Sequence, residues 1–249
     1  MNFTKSSNPV FSDERIGNVV REFAGSGVMT MKGVAVKSAL LLLLVFLTGS
    51  LTWKLSGTNS PAVVPLMIVG GIGALILGFV TCAKADKAYI FAPLYAICEG
   101  LLLGALSALY EAELHGIVSM AMFSTFAVSA VVFLCYRFGI LRASNTFVKV
   151  ISYATLGIGA FYLISIVAGL FHFNISVLEM GSFGLILQVV IVIVAALNLV
   201  LDFSSIEQGV EAQAPAQMEW YSAFGLMVTL VWIYIEILRL LFIIFGRRN

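Results

Sequence analysis

The sequence predicts an all-α integral membrane protein, a bundle of seven transmembrane helices with almost no soluble part. Three observations lead there. Of the 249 residues, 61% are hydrophobic and 11% charged, against roughly 45–50% and 25% in ordinary soluble domains. That leaves too few charges to cover a water-soluble surface of this size. The apolar residues gather into stretches that reach the roughly 20 residues a helix needs to cross a bilayer. The stretches are also continuous, whereas barrel strands alternate over about ten residues.

The chain opens on a polar segment, residues 1–30. Within it, Ser12-Asp13-Glu14 reads as a helix start, a capping hydroxyl followed by acids in the first turn. Phe11, Ile16, Val19, Val20 and Phe23 give that helix an amphipathic face, which packs on the bundle or lies at the membrane surface. No apolar leader precedes the bundle, so the first hydrophobic helix is expected to serve as its own insertion signal.

The seven spans of the transmembrane domain, residues 31–249, fall near 35–55, 62–82, 88–110, 117–137, 147–171, 183–203 and 221–245. Short connections make consecutive helices antiparallel neighbours. The second span carries Gly70, Ala74 and Gly78 at every fourth position, and the third carries Gly100 and Gly104. Small residues so spaced let helix backbones approach closely in lipid. The sixth span ends at Asn198-Leu199-Val200-Leu201-Asp202, and the seventh holds Glu236 and Arg239 well inside it.

Basic residues set the orientation. Lys5, Arg15, Arg21, Lys32 and Lys37 precede or open the first span. Lys84 and Lys87 follow the second, and Arg137, Arg142 and Lys149 surround the fourth connection. Seven crossings with a cytoplasmic N-terminus put all of these on one side. The opposite connections carry Lys54, Glu111, Glu113, His115, His172 and Glu179. The last crossing conflicts with this pattern, because Arg247 and Arg248 then end outside and the connection at 204–220 is acidic inside. A re-entrant seventh helix would relieve the conflict; a full crossing is the reading kept.

Several function classes are disfavoured. A net charge of +1 gives no reason to expect a nucleic-acid partner. Cys82, Cys98 and Cys135 lie far apart in or beside apolar runs, with neither a disulfide framework nor zinc spacing. His115 and His172 stand alone, and no H-E-x-x-H, G-x-S-x-G or phosphate-binding glycine loop occurs. A retinal protein would need a lysine in the last helix, where the sequence has Arg239. No enzyme and no cofactor is expected.

What remains are the charges that should not be there. An ionised side chain at the bilayer centre costs at least about 2.5–3.5 kcal/mol, so such residues are functional candidates by default. They are Glu99, Asp202, Glu236 and Arg239. Asn198 shares a face with Asp202; Thr229, Trp232, Glu236 and Arg239 share another. Glu236 and Arg239, three apart, are spaced to pair. If Asp202 and Glu236 approach across helices six and seven, burial and like charge raise their affinity for a proton. They would titrate as one unit, giving a pH-sensitive gate or a divalent-cation contact.

The last forty-odd residues then carry a resemblance. Glu219-Trp220-Tyr221, followed by the run from Leu230 through Trp232-Ile233-Tyr234-Ile235-Glu236 to Arg239-Leu240-Leu241, resembles the final-helix signature of the Bax inhibitor-1 (transmembrane Bax inhibitor motif) family. Leu201-Asp202-Phe203 is similar to the acidic end of that family's sixth helix, and Glu99-Gly100-Leu101 to its third-helix motif. Ser7-Asn8-Pro9-Val10-Phe11 resembles the opening of a bacterial branch.

The resemblance implies a bundle with the last helix central and six around it, placed in a bacterial inner membrane. It implies a pH-sensitive calcium leak whose two proton-sharing acids fall on Asp202 and Glu236. Two departures stand out. The family's second acid is often aspartate. Its leak members also carry an arginine near the end of helix two, where this chain reads Cys82-Ala83-Lys84; Arg239 is the alternative counter-charge. The expected partners are the bilayer and calcium or another cation. Rival readings are a non-conducting regulator that binds membrane proteases or stress machinery, and a proton-coupled transporter of small solutes.

Overall fold

The computed structural model describes residues 27–58, 60–171 and 181–246. Seven helices long and apolar enough to cross a membrane make up nearly all of it. They are α1 (Met31–Gly57), α2 (Val63–Ala83), α3 (Ala88–Glu113), α4 (Ile117–Arg137), α5 (Asn145–Leu170), α6 (Gly181–Glu211) and α7 (Met218–Gly246). A single 3-10 turn, Ala85–Lys87, joins α2 to α3. The helix expected in the N-terminal segment, His172, Glu179, Arg247 and Arg248 all lie outside the described residues.

Local chemistry sets the ends. The Thr30 hydroxyl accepts from Gly33 N at 2.9 Å and caps α1, and Ser144 does the same for α5 through Phe147 N. Such caps satisfy amides that have no partner within the helix. Between α3 and α4 the chain turns at Gly116, whose φ of 85° is easy only for glycine. The Glu111 carboxylate closes that turn by accepting from Gly116 N at 2.6 Å and Val118 N at 3.1 Å.

Two packed clusters form the core, and α7 belongs to both. Ala223, Phe224, Met227 and Val231 of α7 pack with residues of α1, α2, α3 and α6. Ile233, Ile237 and Leu238 pack with Ile117 and Ala121 of α4 and with Leu199 and Val200 of α6. The last helix is therefore the shared centre, in contact with α1, α3, α4 and α6. At 29 residues it runs about 43 Å, longer than a hydrocarbon core of about 30 Å. That is length enough for the full crossing expected of it.

The glycine stripes do packing work. Gly100 and Gly104 of α3 lie against Val45, Thr48, Gly49 and Thr52 of α1, so tightly that a Cβ on either would overlap that helix. Gly70 of α2 meets α3 in the same way, where a Cβ would sit 2.7 Å from the Cys98 carbonyl oxygen. α5 differs from the rest. It packs on α6, and Tyr153, Leu156, Leu163, Ile164 and Ile166 all face outward.

One boundary differs from the sequence expectation. The sixth span was expected to end at Asp202, but α6 continues to Glu211. Its last turns are polar outside and bury Ile206 inside, an amphipathic end that hydropathy alone does not register. Asp202 is thus an interior residue of its helix, not a helix-end acid.

Candidate functional site

Among the described residues, acids withdrawn from the surface of the bundle occur in three places, and each is surrounded differently. At the end where α1 and α7 begin, Glu219 accepts from Thr30 N at 2.8 Å and from Thr30 Oγ1 at 3.0 Å. It also pairs with Lys37, whose ammonium lies over the Trp220 ring. The chain just before α1 is fastened alongside: Met29 N donates to Ala214 O at 2.7 Å, and Ala216 N to Gly27 O at 2.8 Å. Glu219, known from the sequence only as part of the final-helix motif, is thus a structural latch. Its visible signal was an acid in the first turn of a helix with a lysine near the start of another.

The second place is Glu236, which is 1% exposed. Tyr162 of α5 donates to both carboxylate oxygens at 2.9 Å. Gln188 of α6 donates at 2.7 Å, and Trp232 Nε1 at 3.0 Å. Arg239 Nη1 completes the shell at 3.1 Å and also bonds the Tyr162 hydroxyl, whose ring its guanidinium covers. The expected Glu236–Arg239 pair is present, and Trp232 joins it from the same face. Gln188 and Tyr162 went unnoticed in sequence, although a glutamine inside the run Leu185 to Val194 must find a partner when buried.

The third place holds Asp202 and Glu99. Both line a cavity of about 820 Å³ bounded by α2, α3, α6 and α7. The Thr229 hydroxyl stands against the Asp202 carboxylate, while Asp202 Oδ2 is buried with no hydrogen-bond partner. Glu99 is 7% exposed, and its neighbour is the Tyr95 hydroxyl one turn earlier on α3. Each counted from its own helix end on the Lys37 side, Glu99, Asp202 and Thr229 lie about 14–17 Å along their helices. The cavity extends from there to Met29, Cys82 and Met218 near those helix ends. Among the described residues, no Lys, Arg or His lines it.

This geometry corrects the expected pairing of Asp202 with Glu236. Glu236 meets α6 at Gln188, fourteen residues and about 21 Å along that helix from Asp202. Opposite Asp202 on α7 stand Gly225 and Thr229 instead. Asn198 also diverges from Asp202: its amide donates to Thr155 of α5 at 2.8 Å, although the two share a stripe. Thr229 likewise leaves the face of Glu236 and turns to the cavity. Among the described residues no three His, Cys, Asp or Glu side chains converge as a resident metal site would require.

Seven helices long and apolar enough to cross a membrane, the last of them central to the packing and several charges buried among them, define an integral multi-pass membrane protein. The sequence profile described as Bax inhibitor 1 like matches residues 8–246. The chain belongs to that family. No curated protein and no solved structure matches it.

Proposed function

We propose that the chain is a pH-sensitive leak pathway for calcium or another cation, with Asp202 at its inner acidic station. The observation that supports this most is the cavity that reaches Asp202 from one face, its mainly apolar wall carrying two carboxylates and several hydroxyls and, among the described residues, no base. Carboxylates in a low-dielectric cleft attract cations and focus the field onto their path. Protons and cations compete to neutralise such a site, so flux falls as the solution becomes more acidic. The other titratable side chains on the cavity wall are Tyr95, Cys82 and Tyr221. Toward the opposite face, α7 carries the packed apolar residues Ile233, Ile237 and Leu238 and the Glu236 network, which this reading takes as its closed gate. The bases at the cavity end, Lys84, Lys87, Arg137, Arg142 and Lys149, favour placing that end in the cytoplasm, with the protein in a bacterial inner membrane.

The test is calcium flux into proteoliposomes from mildly acidic to mildly alkaline pH, wild type beside Asp202→Asn. Protein-dependent flux that loses its pH dependence in the variant supports the reading. A wild type silent at every pH, in vesicles where a known channel conducts, removes it and leaves the non-conducting regulator as the better account.

A further inference from the structure

A second cavity occupies the other half of the bundle, away from Asp202. It measures about 470 Å³ and lies on α3 and α7, between α1 and α4, within the roughly 300–1,000 Å³ of small-ligand sites. α1 and α4 scarcely meet, so the space between them opens sideways, where Phe46, Trp53 and Phe126 stand exposed at its edges. From Leu42 to Trp53 it follows α1 for about 16 Å, close to half a hydrocarbon core of about 30 Å. Its wall is mainly apolar, and its inner hydroxyls are already satisfied. Ser107 and Tyr234 bond each other at 2.7 Å, Ser50 donates to Phe46 O at 2.7 Å, and Thr125 donates to Ala121 O at 2.8 Å. A hydrocarbon chain therefore strands no polar group there. Polarity returns at one end. Glu111, on the Leu103–Ser107 ridge near the end of α3, accepts from Gly116 N and Val118 N. Two backbone bonds leave a carboxylate with acceptor sites to spare, and among the described residues no base pairs with it. Lys54 continues the Leu42–Phe46–Ser50 ridge of α1 at the same end of the bundle.

We propose that this cavity binds a phospholipid with a primary ammonium head group, drawn from the leaflet opposite the mouth of the Asp202 cavity. One acyl chain fills the groove between α1 and α4. The ammonium donates to the Glu111 carboxylate, and the phosphate lies toward Lys54. An apolar wall of one leaflet's length suits the chain. One anchored carboxylate near one lysine suits a zwitterion better than a net anion. A lipid so placed braces two helices that scarcely touch. The proposal is independent of the leak reading.

The experiment is photo-crosslinking of the full-length chain in proteoliposomes, using phosphatidylethanolamine with a diazirine on its acyl chain and mapping the labelled residues by mass spectrometry. Phosphatidylglycerol with the same chain, which lacks the ammonium, is the comparison. The outward face of α5, at Leu156 and Leu163, reports ordinary lipid contact. Saturable labelling of 42–53 and 118–126, above that of α5, is expected. Phosphatidylethanolamine should be favoured there about two- to fivefold, the worth of an ion pair at a wet edge. Glu111→Gln, which keeps one acceptor oxygen for the turn, should abolish that preference while the chain contact stays. Ser119→Trp, which adds bulk from an exposed position in the groove wall, should remove groove labelling by both lipids. Should Glu111→Gln fail to fold, wild type and Ser119→Trp still decide. Groove labelling no stronger than that of α5, equal labelling by the two lipids in wild type, groove labelling that persists in Ser119→Trp, or a preference that survives Glu111→Gln each overturns the proposal.

Discussion

The two ends of α7 solve the same problem in opposite ways. Toward its C-terminal half, Glu236 is enclosed by four side chains from three helices, and its charge is cancelled by Arg239. Toward its N-terminal half, the helix presents Gly225 and Thr229 to Asp202, leaving a carboxylate oxygen unpartnered beside open space. The first acid is committed to structure. The second is left available. Burial and charge alone therefore do not mark function in a membrane bundle; the state of the hydrogen-bond shell does.

The comparison can be broken by removing partners one at a time and following thermal unfolding in a single detergent. Arg239→Met leaves Glu236 buried without a counter-charge and should cost about 3–5 kcal/mol, the loss typical of a broken buried pair. If this variant unfolds with wild type, the closed network is not structural. Tyr162→Phe removes one hydroxyl that serves both Glu236 and Arg239. It should cost about 1.5–3 kcal/mol, as bonds to charged groups do, and should loosen α5, which hydrogen exchange would register. Pairing Glu236→Gln with Arg239→Met should recover about 0.5–3 kcal/mol of the summed single losses through their coupling; strict additivity would contradict the pairing. Asp202→Asn should move stability by less than about 0.5 kcal/mol, since no ion pair is lost. A large loss there would mean that Asp202 is as structural as Glu236, and the contrast would vanish.

The structure also separates residues that a helical wheel groups together. Thr229 and Glu236 are seven apart on one stripe, yet one belongs to the cavity and the other to the closed network. Asn198 and Asp202 are four apart, yet one ties α5 to α6 and the other faces α7. Sequence periodicity gives a shared direction. It does not give which neighbour stands at that height, because the stagger of adjacent helices is set by packing. The tight seats of Gly100 and Gly104 on α1, and of Gly70 on α3, are part of what fixes that stagger.

Much was nonetheless decided by the sequence. Continuous apolar runs force helices, since a backbone in hydrocarbon must satisfy its own hydrogen bonds, and their number and order follow from run length. The four mid-span charges follow too, because hydrocarbon makes each conspicuous. What tertiary structure alone decided is their partnership: Glu236 with Arg239 and Tyr162, Asp202 with Thr229, and Glu99 with Tyr95. Partnership depends on axial register between helices far apart in the chain. Register comes from side-chain packing, which leaves no periodic trace in a single sequence.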